Sequence, residues 1–136
     1  MMLILKNNYN ADKWWHCQPD NGTIALYKNG RHFLPDSGVY TYGGSSSDDA
    51  LRDKFASTAM HNPLTLNGAT IAENRMLGEH KGDVQNATYT MAHVSNQSYG
   101  ALRHERTVFH VKDGFFVVVD FGLGSATGTV ALNWHL

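Results

Sequence analysis

A chain of 136 residues that is 42% hydrophobic can cover one two-layer core but not two independent ones. Its formal net charge is −1 and its 11 Lys and Arg are scattered, which argues against the broad basic surface that nucleic-acid binding needs. The lone Cys17 excludes an internal disulfide and a cysteine-based zinc knuckle.

Along the chain, the opening run MMLIL is too short for a signal-peptide core or a membrane span, so no membrane partner is expected. It reads as a start inside a longer protein. Residues 23–28 (TIALYK), Asn29-Gly30 and residues 31–34 predict a hairpin with a two-residue type I′ turn, because both turn positions favour φ > 0. After Gly43-Gly44-Ser45-Ser46, Ser47 is a candidate cap for a short helix over residues 48–56. Asp48 and Asp49 would lie in its first turn, with Leu51 and Phe55 as its buried stripe. Residues 62–66 running into Asn67-Gly68, and residues 108–111 passing through Lys112-Asp113-Gly114 into 115–121, predict two further hairpins. The FFVVVD stretch reads as a central strand covered on both faces, and residues 84–93 as lying nearer an edge. Residues 127–136 read as a last strand that stops while still apolar. The expectation is one domain over residues 1–136: an all-β, antiparallel β-sandwich of about ten strands with one short helix.

Eight histidines are many for this length. An isolated histidine in a strand is usually a packed or hydrogen-bonded side chain, so each needs context. His61 has it, because it follows a helix exit and precedes a strand, with Asn62 beside it, at what reads as the rim of the sheet. No Ser-His-Asp arrangement, phosphate-cradling glycine loop or HExxH motif is present, which disfavours serine hydrolases, nucleotide-dependent enzymes and zincins.

Three blocks, WWHCQPDNGTIALYKNGRHFLPDSGVYTY, RDKFASTAMHNPLTLNG and LRHERTVFHVKDGFFVVVD, in this order and spacing resemble the C-terminal β-sandwich of the heparinase II/III-like lyases, in particular heparinase III. Such enzymes cleave uronate-containing glycosaminoglycans by β-elimination. The resemblance implies that an Asn and a Tyr on an α/α toroid domain, absent from this chain, share the chemistry with a sandwich histidine that matches His61. That imidazole would either stabilise the enolate-like transition state or accept the C5 proton. It further implies an acidic polysaccharide such as heparan sulfate as partner, a periplasmic or secreted bacterial location, and near inactivity of the sandwich alone. An apolar surface normally covered by the toroid would then be exposed and favour weak self-association.

Gln18 and His16 are substrate-contact candidates with Asn62, although a turn fixed by Pro19 and Gly22 explains Gln18, Asp20 and Asn21 equally well. Arg52 and Arg103 suit sulfate or carboxylate recognition, or simply a solvated surface. No cofactor is required for the reaction. Several relatives hold a structural zinc through two histidines and an aspartate, however, and here the first histidine falls at Pro63. Asp83 and His104 match the other two positions and His80 is the substitute, for zinc or calcium. For His104 and Arg106 the plainer reading is a polar strand face bonded to neighbouring loops. Two rival functions remain: a non-catalytic carbohydrate-binding sandwich in which Trp14, Trp15 and Tyr27 stack on sugars, and a metal-dependent small barrel using His61, His80, His93 and His104.

Overall fold

Two Asn-Gly steps turn the chain with backbone in the left-handed region, where the small polar Asn and the side-chain-free Gly are tolerated. At the first, Asn29 (φ 53°) and Gly30 (φ 77°) join β2 (Ile24–Lys28) to β3 (Arg31–Leu34) as the expected type I′ hairpin. The computed structural model of the chain describes residues 2–5, 18–72 and 78–136. Among these, β1 (Met2–Leu5) pairs with β2 to complete a three-stranded antiparallel sheet. Helix α1 (Ser46–Ala56) and a 3₁₀ turn (Thr58–Met60) follow, then β4 (Leu64–Leu66). A four-stranded antiparallel sheet is built in chain order from β5 (Gly78–Gln85), β6 (Tyr89–Asn96), β7 (Leu102–Val111) and β8 (Phe116–Gly124), and β9 (Val130–Leu132) returns to pair with β4.

The layers meet where β7 alternates: Leu102, His104, Arg106 and Val108 are buried while their neighbours face outward, the period-two pattern of a strand covered on one side. Val108 joins Ile24 and Leu34 in the core, with Leu5, Leu26, Phe116 and Val118 packed around them. This is an all-β antiparallel sandwich with one α-helix, as expected, with nine strands among the described residues.

Several local expectations change. Asn67 (φ 54°) and Gly68 (φ 66°) do form a turn, but β4 does not fold back on the next segment. It pairs with β9, and Asn67 binds Thr129 through both its backbone N–H (2.8 Å) and its side-chain oxygen (2.9 Å). The 108–121 hairpin is present, with Asp113 at φ 59°. Among the described residues, however, its second strand is an edge of the sheet and not a centre, and Phe121 is 53% exposed. Helix α1 is capped at Ser45 instead of Ser47, because Asp48, three residues on, accepts the Ser45 backbone N–H at 2.8 Å. Its expected buried stripe is missing: Leu51 is exposed and Phe55 only half-buried against Tyr40.

Candidate functional site

His61 enters the core by way of the 3₁₀ turn, closed by its own N–H on Thr58 O at 3.1 Å. Thr58, fully buried, ties that turn to two loops: its hydroxyl donates to Pro19 O and accepts Ile71 N–H at 2.8 Å. The His61 ring is 0% exposed, not at an open rim as expected. On one side, Nδ1 lies 3.3 Å from Asp36 Oδ2 and 3.4 Å from Ser37 Oγ, while Nε2 has no hydrogen-bond partner. The Ser37 hydroxyl has one proton and donates it to Phe55 O at 3.0 Å, so toward His61 it can only accept. Two acceptors around Nδ1 place the ring proton there. In the neutral imidazole Nε2 therefore carries the lone pair.

The loop supplying Asp36 is itself fixed: Asp36 Oδ1 accepts Gly38 N–H at 2.8 Å, and Gln18 Nε2 donates to Gly38 O at 2.8 Å. Gln18 is thus a buried tie between loops. The turn that follows it, with Asp20 N–H on Gln18 O and Thr23 N–H on Asp20 O (both 2.9 Å), is the hydrogen-bonded turn weighed from the sequence. Asn62 is fully buried and also structural. Its backbone N–H goes to Thr23 Oγ1, its amide donates to Ile24 O and Pro35 O, and its Oδ1 accepts His135 N–H at 2.8 Å. Both amide protons are given to backbone carbonyls and the amide oxygen accepts a backbone N–H, so Asn62 ties together the loops around His61.

Beneath these loops, Arg106 is 0% exposed. Its guanidinium grips Asp120 through Nε to Oδ1 (2.7 Å) and Nη2 to Oδ2 (3.1 Å), and Nη1 donates to Gly22 O (2.5 Å) and Asn62 O (2.6 Å). The ring of Trp134 lies 5.1 Å from Arg106 Cζ. His104 Nε2 meets Asp120 Oδ1 at 2.6 Å. Burial holds the His104 imidazole below its ordinary range, so the ring is neutral and its Nε2–H donates. Burial alone would raise Asp120, but hydrogen bonds from His104 and Arg106 and the guanidinium charge outweigh it and keep the carboxyl low. Gly22 (φ 81°) completes the seam, since a Cβ there would sit 2.9 Å from His104 Cε1. The polar strand face weighed for His104 and Arg106 is what the structure shows.

The expected metal set does not assemble. His80 Nε2 and Asp83 Oδ1 are 3.2 Å apart on the exposed strand β5, while His104 is buried on β7, two strands away, and committed to Asp120. Among the described residues the group of potential ligands that converges is Asp20, Asp36 and His61, with donor atoms within 4.8 Å of one another. A cation there would compete for Nδ1 with the proton that Ser37 and Asp36 favour. The four-histidine barrel is not formed either, because His93 lies on the outer face of β6, 3.5 Å from Glu105. Arg103 pairs with Glu105 and Arg52 with Asp49, as solvated surface charges. His16, Trp14, Trp15 and Cys17 lie outside the described residues. Sequence reasoning assigned no role to Asp36 and Ser37. Pro-Asp-Ser-Gly reads as a turn, and the Asp36–Gly38 bond shows that it is one; only the long-range approach to His61 reveals the second role.

The comparisons with known proteins agree with this architecture. The family model described as heparinase II/III-like, C-terminal, matches residues 1–136. A heparin-sulfate lyase of Bacteroides thetaiotaomicron is 41% identical over 99% of the chain, and one of Pedobacter heparinus 34% identical over 99%. Each match covers 20% of the relative, so the chain spans about a fifth of their length. Among solved structures, heparan sulfate lyase HepC from Pedobacter heparinus superposes with a TM-score of 0.88 at 31% identity, covering 97% of the chain and 20% of that protein. A crystal structure of heparinase III gives 0.81 at 40% identity, covering 94% and 20%.

Proposed function

Because the chain belongs to the heparinase II/III-like family, as its C-terminal domain, we propose that residues 1–136 form the β-sandwich domain of a polysaccharide lyase that cleaves heparan sulfate or a related uronate-containing glycosaminoglycan by β-elimination. The observation that carries the reading is the buried Asp36–His61 pair with an uncommitted Nε2. In the reaction the C5 proton leaves, its electron pair spreads onto the uronate carboxylate, the C4–O bond breaks, and the departing glycosidic oxygen is protonated. Anchored at Nδ1–H by Asp36, His61 presents the Nε2 lone pair, which suits it to accept the C5 proton. The donor to the leaving oxygen and the group that neutralises the carboxylate belong to the helical domain of the longer protein. The elimination uses no cofactor, and it takes place where a bacterium meets such polymers, in the periplasm or outside the cell.

His61 is sealed in this structure, so catalysis requires the helical domain and substrate to displace the cover over Nε2. The domain alone is inactive on this reading. A second reading has a specific observation behind it: Tyr27 and His32, ring centroids 5.1 Å apart, line a hollow of about 330 Å³ that reaches Asp36, and such a hollow suits a sugar ring held without chemistry.

One assay separates the two. Formation of the unsaturated uronate product is followed by absorbance with the 136-residue chain and with a chimera in which it replaces the matched fifth of the Bacteroides thetaiotaomicron lyase, each with and without His61→Ala. Activity in the chimera alone, reduced at least about 100-fold by the substitution, is expected for a lost proton acceptor. A chimera that folds and binds glycan but does not cleave it supports the binding module.

A further inference from the structure

The dipeptide Asn-Gly occurs three times, at residues 21–22, 29–30 and 67–68. It is the step at which an asparagine side chain is most open to attack by the backbone, because glycine has no side chain to shield its nitrogen. The fold gives the three copies different surroundings. Asn21 is 1% exposed, and Gly22 lies against His104, where an added Cβ would be 2.9 Å from Cε1. Asn67 is exposed but its amide is tied: Oδ1 accepts Thr129 N–H at 2.9 Å, and an added Cβ at Gly128 would be 2.6 Å from Nδ2. Asn29 has neither restraint. It and Gly30 are exposed, its side chain makes no hydrogen bond among the described residues, and an added Cβ at Gly30 would meet nothing within 4 Å.

Charge separates the steps as well. Lys28 and Arg31 are cross-strand partners on either side of the Asn29-Gly30 turn. Two like charges facing each other across a hairpin repel, and negative charge that develops between them is stabilised. Leu66 and Ala69, which flank the Asn67-Gly68 step, offer no such help.

We propose that Asn29 is a self-modification site, at which the chain converts its own asparagine to aspartate and isoaspartate. Hydroxide takes the Gly30 amide proton and the nitrogen attacks Asn29 Cγ. The N–Cγ bond forms, the Cγ–Nδ2 bond breaks, and Nδ2 takes a proton from water and leaves as ammonia. Water then opens the cyclic imide. Breaking the N–Cγ bond gives an ordinary aspartate, whereas breaking the original peptide bond from Asn29 to Gly30 routes the main chain through Cγ and lengthens it by a methylene. The only co-reactant is water. Either product sets a carboxylate between Lys28 and Arg31 and offsets their repulsion. The isoaspartate form also breaks the two-residue turn that joins β2 to β3, the strands whose Tyr27 and His32 line the hollow beside Asp36.

The test incubates the folded 136-residue chain in heavy-oxygen water at mildly alkaline pH and assigns the amide-to-acid conversion, with its isotope label, to each Asn-Gly step by peptide mapping. Asn29 is expected to convert at least about 10-fold faster than Asn67, whose amide must first leave Thr129, and than Asn21. Both labelled products appear at residue 29. In the chain unfolded by denaturant this selectivity shrinks, because the burial of Asn21 and the tie on Asn67 are gone. Equal rates at the three steps of the folded chain overturn the proposal, as does faster conversion at Asn67 or Asn21. Selectivity that persists undiminished in denaturant overturns it too, since the surroundings given by the fold would then play no part.

Discussion

Strands β7 and β8 mix chemistries on both faces, with charged side chains under cover beside Val108 and Val118 and aromatic ones in the open. The covered face holds Arg106, His104 and Asp120, whereas the open face holds Phe109, Val117 and Phe121. The covered charges are tolerated because the guanidinium has an oxygen partner at Nε and at both terminal nitrogens. Those bonds do more than satisfy Arg106. They hold the carbonyls of Gly22 and Asn62, the loops that frame His61, at fixed positions. In this molecule the inner polar face organises the site, and the outer face leaves apolar side chains exposed.

The sharpest way to break the contrast is Arg106→Met. It leaves Asp120 buried without its main counter-charge and two carbonyls without donors, a loss of about 3–5 kcal/mol. Against the 5–15 kcal/mol typical of a domain, that is a large part of the total. Chemical denaturation of the chain checks it, and a loss below about 1 kcal/mol would mean that the seam is not structural. Next comes Asn62→Ala, which orphans Ile24 O, Pro35 O and His135 N–H and is expected to cost about 1–3 kcal/mol.

A smaller effect is acid sensitivity. Folded His104 resists protonation relative to its ordinary value of 6.5, so the unfolded chain takes up the proton first. Its contribution is complete above that value and is lost as pH falls below it, at no more than about 1.4 kcal/mol per pH unit. Asp120, also held low, adds a second loss in the same direction once pH falls below its ordinary 3.8. Melting curves between pH 8 and 3 show this, and stability that rises on acidification contradicts it. The smallest effect belongs to the outer face. Phe121→Lys in the isolated chain should change stability by less than about 0.5 kcal/mol in the same denaturation experiment, because the side chain is 53% exposed.

Where neighbours in sequence are neighbours in space, the sequence was readable. The Asn29-Gly30 and Asp113-Gly114 turns and the α1 segment follow from local rules. Non-local choices were not readable. The Asn67-Gly68 turn has hairpin chemistry, yet β4 takes β9 as its partner, 64 to 68 residues away by register. The FFVVVD run promised burial on both faces, but periodicity does not report which strand stands beside it. The site followed the same division. His61 was found by its setting and its family motif, whereas its partners Asp36 and Ser37 lie more than 20 residues earlier and were legible only as a turn. Asn62 was singled out as the neighbour of a candidate catalyst and Gln18 through its family block; the bonds that tie Asn62 to Ile24, Pro35 and His135 and Gln18 to Gly38 cross 20 to 73 residues and had no local sign.

Arg106 also sets an order in time. Its bond to Gly22 spans 84 residues and its bond to Asn62 spans 44, so the loop-closure entropy of those contacts must be met before they return any stability. The hairpins of β2 with β3 and of β7 with β8 can form while the chain is still open. The enclosure around His61 cannot close until β7 has been made and docked. During that interval the apolar edge of β8 exists without the finished domain, and the moment of greatest aggregation hazard precedes the completion of the histidine's enclosure.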